Sequence, residues 1–167
     1  MRVLVAAASK HGSTREIADR IGDVLRARGR QADVRDIRDV TSLEGYGALV
    51  LGSAVYFGRW MKEARELADR GSGALSAIPV WLFSSGPIGA AASKPEDGAD
   101  RRDGDEVAAA VGAREHRIFA GKVDRGGLNP VERVAVRIVK APDEDFRPWG
   151  EIEAWAAGIA DALLSMS

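Results

Sequence analysis

Val3-Leu4-Val5-Ala6-Ala7-Ala8-Ser9-Lys10-His11-Gly12-Ser13-Thr14-Arg15-Glu16 is the stretch on which the reading of this chain turns. Its first six residues form an unbroken apolar run, the pattern of a strand buried on both faces. Three hydroxyls and a glycine follow and lead into a charged helix. In that helix Ile17, Ile21, Val24 and Leu25 share one face and Gly29 supplies the stop. Strand, hydroxyl-rich turn and helix together make an anion cradle. Unpaired N–H groups and hydroxyls converge at the helix start, where the dipole favours a phosphate by ~0.3 to 1 kcal/mol. Ser9, Lys10, His11, Gly12, Ser13 and Thr14 are its candidate ligands. The same letters also admit a plainer reading, because Ser13 and Glu16 have the spacing of a capping box that serves the helix alone.

Outward from this unit the chain repeats it. Apolar runs at Ala48 to Val55, Pro79 to Ser84 and Arg117 to Ala120 predict three more buried strands, and the alternating Ala32 to Ile37 predicts an edge strand. Helices are expected between them, over Met61 to Arg70, Glu106 to Val111 and Asn129 to Lys140, and after them along Trp149, Ile152, Trp155, Ala156, Ile159 and Leu163. Alternation of strand and helix implies an α/β fold, a doubly wound parallel sheet of five strands with helices on both faces. Ligands of such sheets sit beyond the carboxyl ends of the strands, near the point where strand order reverses. Two loops besides the first therefore matter, Ser53 to Trp60 and Ser84 to Lys94. Gly86 to Gly104, rich in small and acidic residues, reads as a long solvated loop.

Composition narrows the functions open to such a fold. A chain of 167 residues suits one domain over 1–167, and a net charge of -1 supplies no nucleic-acid footprint. Without cysteine there is no thiolate metal site, iron–sulfur cluster or cysteine nucleophile, and with two histidines no metal site is expected. His116 reads as solvated surface, and Asp143 to Asp145 as a solvated acidic loop. Lys10 and His11 interrupt the N-terminal apolar run too early for a signal peptide, and no run approaches the ~20 residues of a membrane span, so a cytoplasmic location is expected. The first loop lacks the Gly-Lys-Ser/Thr of a P-loop and the three glycines of a dinucleotide fold. A phospho-accepting receiver domain would want acids where Ala6 to Ala8 and Gly52 to Ala54 stand.

The loop Ser9-x-x-Gly12-Ser13-Thr14 resembles the phosphate turn of the flavodoxin-like FMN proteins, and the loops at Gly52 to Trp60 and Phe83 to Gly89 follow in the order of that family's two ring-flanking loops. The resemblance implies a 2-1-3-4-5 strand order and an FMN cofactor that supplies the chemistry, leaving the protein no catalytic side chain of its own. It implies ring contacts from Ser53, Ala54, Val55, Tyr56, Phe57, Gly58 and Trp60 on one side, and from Ser84, Ser85, Gly86 and Pro87 on the other. Tyr56, Phe57 and Trp60 are the rings able to stack on a flavin, although Phe57 and Trp60 also admit the reading of ordinary core at the mouth of a helix.

Within that family the loop Tyr56 to Trp60, Phe119-Ala120-Gly121-Lys122, the helix Glu132 to Lys140 and Asp145-Phe146-Arg147-x-Trp149 look similar to the menaquinone-dependent protoporphyrinogen oxidase branch. That branch carries a more aromatic and cationic insertion than Asn129 to Lys140, where Asp124 to Lys140 sums to +2. The implied function is an FMN-dependent oxidoreductase whose partner is a small planar molecule of quinone or porphyrinogen type, or another redox protein, with peripheral membrane contact left open. The alternative is a flavodoxin-type electron carrier without its own substrate. The small residues and proline of Ser84 to Gly89 leave one ring face open, which favours the enzyme.

Overall fold

A computed structural model describes residues 1–56, 58–86, 99–122, 145 and 147–167. The first apolar run is β1 (Arg2–Ala8), followed by α1 (Ser13–Ala27) and β2 (Gln31–Asp36). A short 3-10 turn over Ile37–Asp39 leads toward β3 (Ala48–Tyr56), and a two-residue strand β4 (Arg59–Trp60) precedes α2 (Lys62–Leu75). Then come β5 (Val80–Ser85), α3 (Ala99–Val111), β6 (Glu115–Phe119) and α4 (Trp149–Ser165).

Strands pair in the order β2-β1-β3-β5-β6, all parallel, which is the five-stranded order expected. The short β4 is additional and lies antiparallel on β3, pairing Val55 with Trp60 and Tyr56 with Arg59. It is a hairpin, turned through Gly58 at φ 76°. That reversal folds Trp60 back against the sheet rather than letting it project from a loop.

Period-two alternation divides the sheet between two cores. Val3, Val5, Ala48, Val50, Trp81 and Phe83 face α1 and α4, where Ile17, Ile21, Leu25, Ile152, Trp155 and Ile159 meet them. Leu4, Leu49, Leu51, Val80 and Leu82 face the other way, toward Ala64, Leu67, Leu75, Val107 and Val111 of α2 and α3. Each fully buried aliphatic side chain contributes roughly 1.5 to 3 kcal/mol, so both helical layers are held by burial rather than by their exposed ion pairs. β2 is the edge, with Ala32 buried and Gln31 and Arg35 exposed.

Three expectations change. α3 begins at Ala99, so the last six residues of the stretch read as a loop are helical. Its acids had masked an apolar face carried by Val107 and Val111. α2 runs to Leu75, past the expected stop at Arg70. The last buried strand starts at Glu115 rather than Arg117. The helix expected over Asn129 to Lys140 lies outside the described residues.

Candidate functional site

Strand register puts the three loops at one end of the sheet. Ala8 lies opposite Ser53, Ala54 opposite Ser85, and Ser85 opposite Phe119, so the chain leaves the sheet from a single row. Strand order reverses between β1 and β3, because α1 covers one face and α2 the other. The crevice of a doubly wound sheet falls at this point.

At that crevice α1 begins without a side-chain cap. Gly12 is the N-cap residue in a left-handed conformation, φ 89°, and its own N–H donates to Ser9 Oγ at 3.0 Å. The first helical hydrogen bond runs from Glu16 N to Gly12 O at 3.0 Å, which places the N–H groups of Ser13, Thr14 and Arg15 ahead of the ladder. Ser13 is therefore a helical residue and not the cap, and no capping box forms: Glu16 pairs with Arg147 instead. Thr14 is fully buried, and its Oγ1 has no hydrogen-bond partner. A buried hydroxyl in that state costs about 1 to 3 kcal/mol. Ser9 is half-buried, and Lys10 and His11 are exposed at the rim.

The second and third loops hold a network turned inward. Trp60 is 2% exposed, and its indole N–H donates to Ser84 Oγ at 2.8 Å. Ser84 Oγ lies 2.8 Å from His116 Nε2, while His116 Nδ1 lies 2.8 Å from Asp105 Oδ1. An ionised carboxylate only accepts, so Nδ1 carries the imidazole proton and the Ser84 hydroxyl donates to Nε2. Asp103 closes the same corner by accepting from Trp60 N at 2.7 Å. Burial pushes the His116 pKa down, against the opposing pull of Asp105. Gly104 is the residue that makes room, since a Cβ there would stand 2.3 Å from His116 Cε1.

This geometry corrects several expectations. His116 is not solvated surface but a core residue, because β6 starts early enough to turn its ring toward α3. Trp60 does not offer its ring to a ligand; the β4 hairpin buries it in the α2/α3 layer. Ser53 and Ser84 follow the same alternation as Leu51 and Leu82 and also point into that layer. Ser53 Oγ donates to Ala54 O at 2.8 Å and accepts from Met61 N at 2.9 Å. Ala54, Val55, Tyr56, Gly58, Ser85 and Gly86 remain along the crevice row or its turns, Tyr56 half-buried and Gly86 donating to Phe119 O at 3.0 Å. Phe57 and Pro87 lie outside the described residues.

Arg147 is the charged residue that sequence reading left without a role. Its side chain is 4% exposed, with Nε and Nη2 on the Asp145 carboxylate at 2.9 and 2.7 Å. Asp145, read as part of a solvated run, is thus fixed, and Arg147 holds its carboxyl below the usual range. The signal was present in the spacing Asp145-x-Arg147-x-Trp149, but the reach back to α1 is not local.

Among the described residues, no group of His, Asp and Glu could hold a metal ion, and no helix is long and apolar enough to cross a membrane.

Comparison with known proteins agrees with this arrangement. Residues 4–147 match the family model described as a flavodoxin domain. Over 98 residues the chain is 28% identical to the protoporphyrinogen IX dehydrogenase [quinone] of Escherichia coli strain K12, covering 58% of this chain and 52% of that protein. The chain thus spans about half the length of the curated relatives it matches. Among solved structures, an archaeal flavodoxin superposes with a TM-score of 0.63 at 16% identity, covering 97% of this chain and 98% of that one. A cysteine-to-serine variant of the flavodoxin of Pseudomonas aeruginosa gives 0.65 at 16%, covering 98% and 99%. Oxidised flavodoxin 2 of Bacillus cereus gives 0.62 at 21%, covering the whole of both chains. With the uncapped helix at the switch point of a 2-1-3-5-6 sheet and a family match over most of its length, the chain belongs to the flavodoxin-domain family.

Proposed function

We propose that this protein binds FMN and works as an oxidoreductase on a small planar partner of quinone or porphyrinogen type. The observation that carries the FMN reading is Thr14, whose buried Oγ1 is unsatisfied at the uncapped start of α1. One phosphate would satisfy it together with the free N–H groups of Ser13, Thr14 and Arg15. Gly12 has nothing within 4 Å of a would-be Cβ, so the approach is open. The residues present therefore fit a terminal phosphate. Nothing at the described crevice offers a second phosphate turn of the kind FAD would want.

Ser9, Gly12, Ser13 and Thr14 would hold the phosphate, with Lys10 and His11 at the rim. Ala54, Val55, Tyr56, Gly58, Ser85 and Gly86 would border the ring, and the sequence adds Phe57 and Pro87. When bound, FMN supplies hydride and one-electron chemistry. The chain's own work is to orient that group and to keep the floor of the crevice dry. Buried Ser84, Trp60 and His116 do the latter by satisfying one another behind the loops, and Ser53 by bonding the backbone of Ala54 and Met61.

Support for the enzyme reading comes from the sequence of Ser84 to Gly89, which has small residues and proline and no second aromatic ring, and from the likeness to a quinone-linked dehydrogenase. A carrier of electrons between proteins is the second reading, supported by the fold shared with flavodoxins. Titration of the purified protein with FMN and FAD tests the first step. Flavin absorbance and quenched fluorescence are expected with FMN alone, and a protein indifferent to FMN refutes the reading. Mixing reduced holoprotein with quinones and with a small redox protein separates enzyme from carrier.

A further inference from the structure

We propose that Arg147 is a positioning residue for the phosphate end of the flavin, acting by neutralising Glu16 and pinning the first turn of α1. This rests on the FMN reading above. Arg147 comes from the far end of the chain, just before α4, yet its Nη1 reaches Ser13 O at 3.3 Å and pairs with Glu16. Its guanidinium also sits 4.5 Å from the centroid of the Trp149 ring. A buried guanidinium with donors committed in several directions has little freedom, so whatever it touches is held in register.

The charge arithmetic gives the pin a purpose. Glu16 stands in the first turn of α1. A carboxylate there favours the bare helix but opposes a phosphate dianion seated on the same N–H groups. Arg147 offsets that opposition in part, since its one positive charge is shared between Glu16 and Asp145, and it does so without removing the donors. Asp145 takes the other side of the guanidinium through Nε and Nη2, which leaves Nη1 for α1. The helix start thus remains available to an anion although an acid lies one residue past the cradle.

Riboflavin lacks the phosphate and serves as the internal control. In Arg147→Gln the FMN Kd should rise at least about tenfold while the riboflavin Kd stays within about twofold, since only a charged ligand feels the carboxylates of Glu16 and Asp145 left without their cation. Adding Glu16→Gln to that variant should restore part of the lost FMN affinity, Asp145 remaining without its partner, and no recovery at all overturns the proposal. Should Arg147→Gln not fold, Glu16→Gln alone decides: FMN binding should tighten relative to riboflavin, and weakened FMN binding overturns the proposal. Equal loss for both flavins, or FMN affinity within about twofold of wild type, also overturns it and leaves the FMN reading standing. Wild-type protein that binds neither flavin overturns both.

Discussion

Thr14 and Trp60 both carry polar atoms beside the crevice, yet their surroundings assign them opposite parts. Thr14 Oγ1 is buried without a partner, and on the FMN reading the phosphate would supply one. Thr14→Val should weaken FMN binding by ~1.5 to 3 kcal/mol, the scale of a hydrogen bond to a charged group, and should cost little or no stability in the apoprotein. Flavin fluorescence titration and thermal melts check the two halves, and unchanged FMN affinity would disconnect the hydroxyl from the phosphate. Trp60 is the reverse case, since its indole N–H already has Ser84. Trp60→Phe should lower apoprotein stability by roughly 1 to 3 kcal/mol by leaving buried polar groups short of a partner. Flavin quenching should stay at the wild-type level, and lost quenching in a stable variant would return the indole to the ring site. The place of Thr14 at the helix start was legible because its turn is local in sequence. Between the ring-stacking and the core readings of Trp60 the sequence could not choose, because a two-residue hairpin, with no apolar pattern of its own, decides which way the ring points.

At the level of elements, α3 shows most clearly what sequence could and could not disclose. Asp103, Gly104 and Asp105 look like loop chemistry. Each is instead fixed by a contact far along the chain: Asp103 to Trp60, Asp105 to His116, and Gly104 by the closeness of the His116 ring. Buried strands and strongly amphipathic helices announce themselves through periodicity, whereas a short helix with polar residues packed inward does not. Gly104→Ala should therefore destabilise the protein, although alanine is the better helix former. Its methyl would meet His116 and, at 3.0 Å, Trp60 Nε1. A urea midpoint unchanged or raised would show that α3 can shift at no cost. The same corner predicts a pH dependence. Burial lowers the pKa of His116 in the folded state, so between that lowered value and the ordinary 6.5 the unfolded chain binds the extra proton. The contribution is complete above 6.5 and is lost as pH falls toward the folded value. The positive charge of Arg101, which pairs with Asp105 at 2.9 Å, acts in the same lowering direction as burial. Urea melts from about pH 7 down to about pH 5 should show a steeper loss in wild type than in His116→Gln, and parallel slopes would exclude His116 as the titrating group.

Across the whole molecule, the parallel sheet and its two helical layers could be read from the chain because each apolar run occupies one strand and helices alternate with them. The order of the strands comes instead from the resemblance to flavodoxin-like proteins, and it is the order observed. What could not be read is how distant segments close on the crevice, as Arg147 does on α1 and β6 does on Ser84 through His116. The same scale holds the feature that separates the two redox readings, a net charge of -1. A carrier that meets protein partners gains from a strong single-signed field, which raises encounter rates and makes them fall steeply with salt. A nearly neutral chain has no such field to screen, and a planar organic partner would not respond to one. Reduced holoprotein should therefore react with an uncharged quinone at a rate that changes less than about twofold as ionic strength rises from about 0.01 M to about 0.3 M, where the screening length falls from ~30 Å to well under about 10 Å. Transfer to a small charged redox protein should be slow at both ends of that range and show only a shallow salt slope. A fast protein-to-protein transfer that collapses at high salt would mean that local charge outweighs the neutral sum, and would move the assignment to the electron carrier.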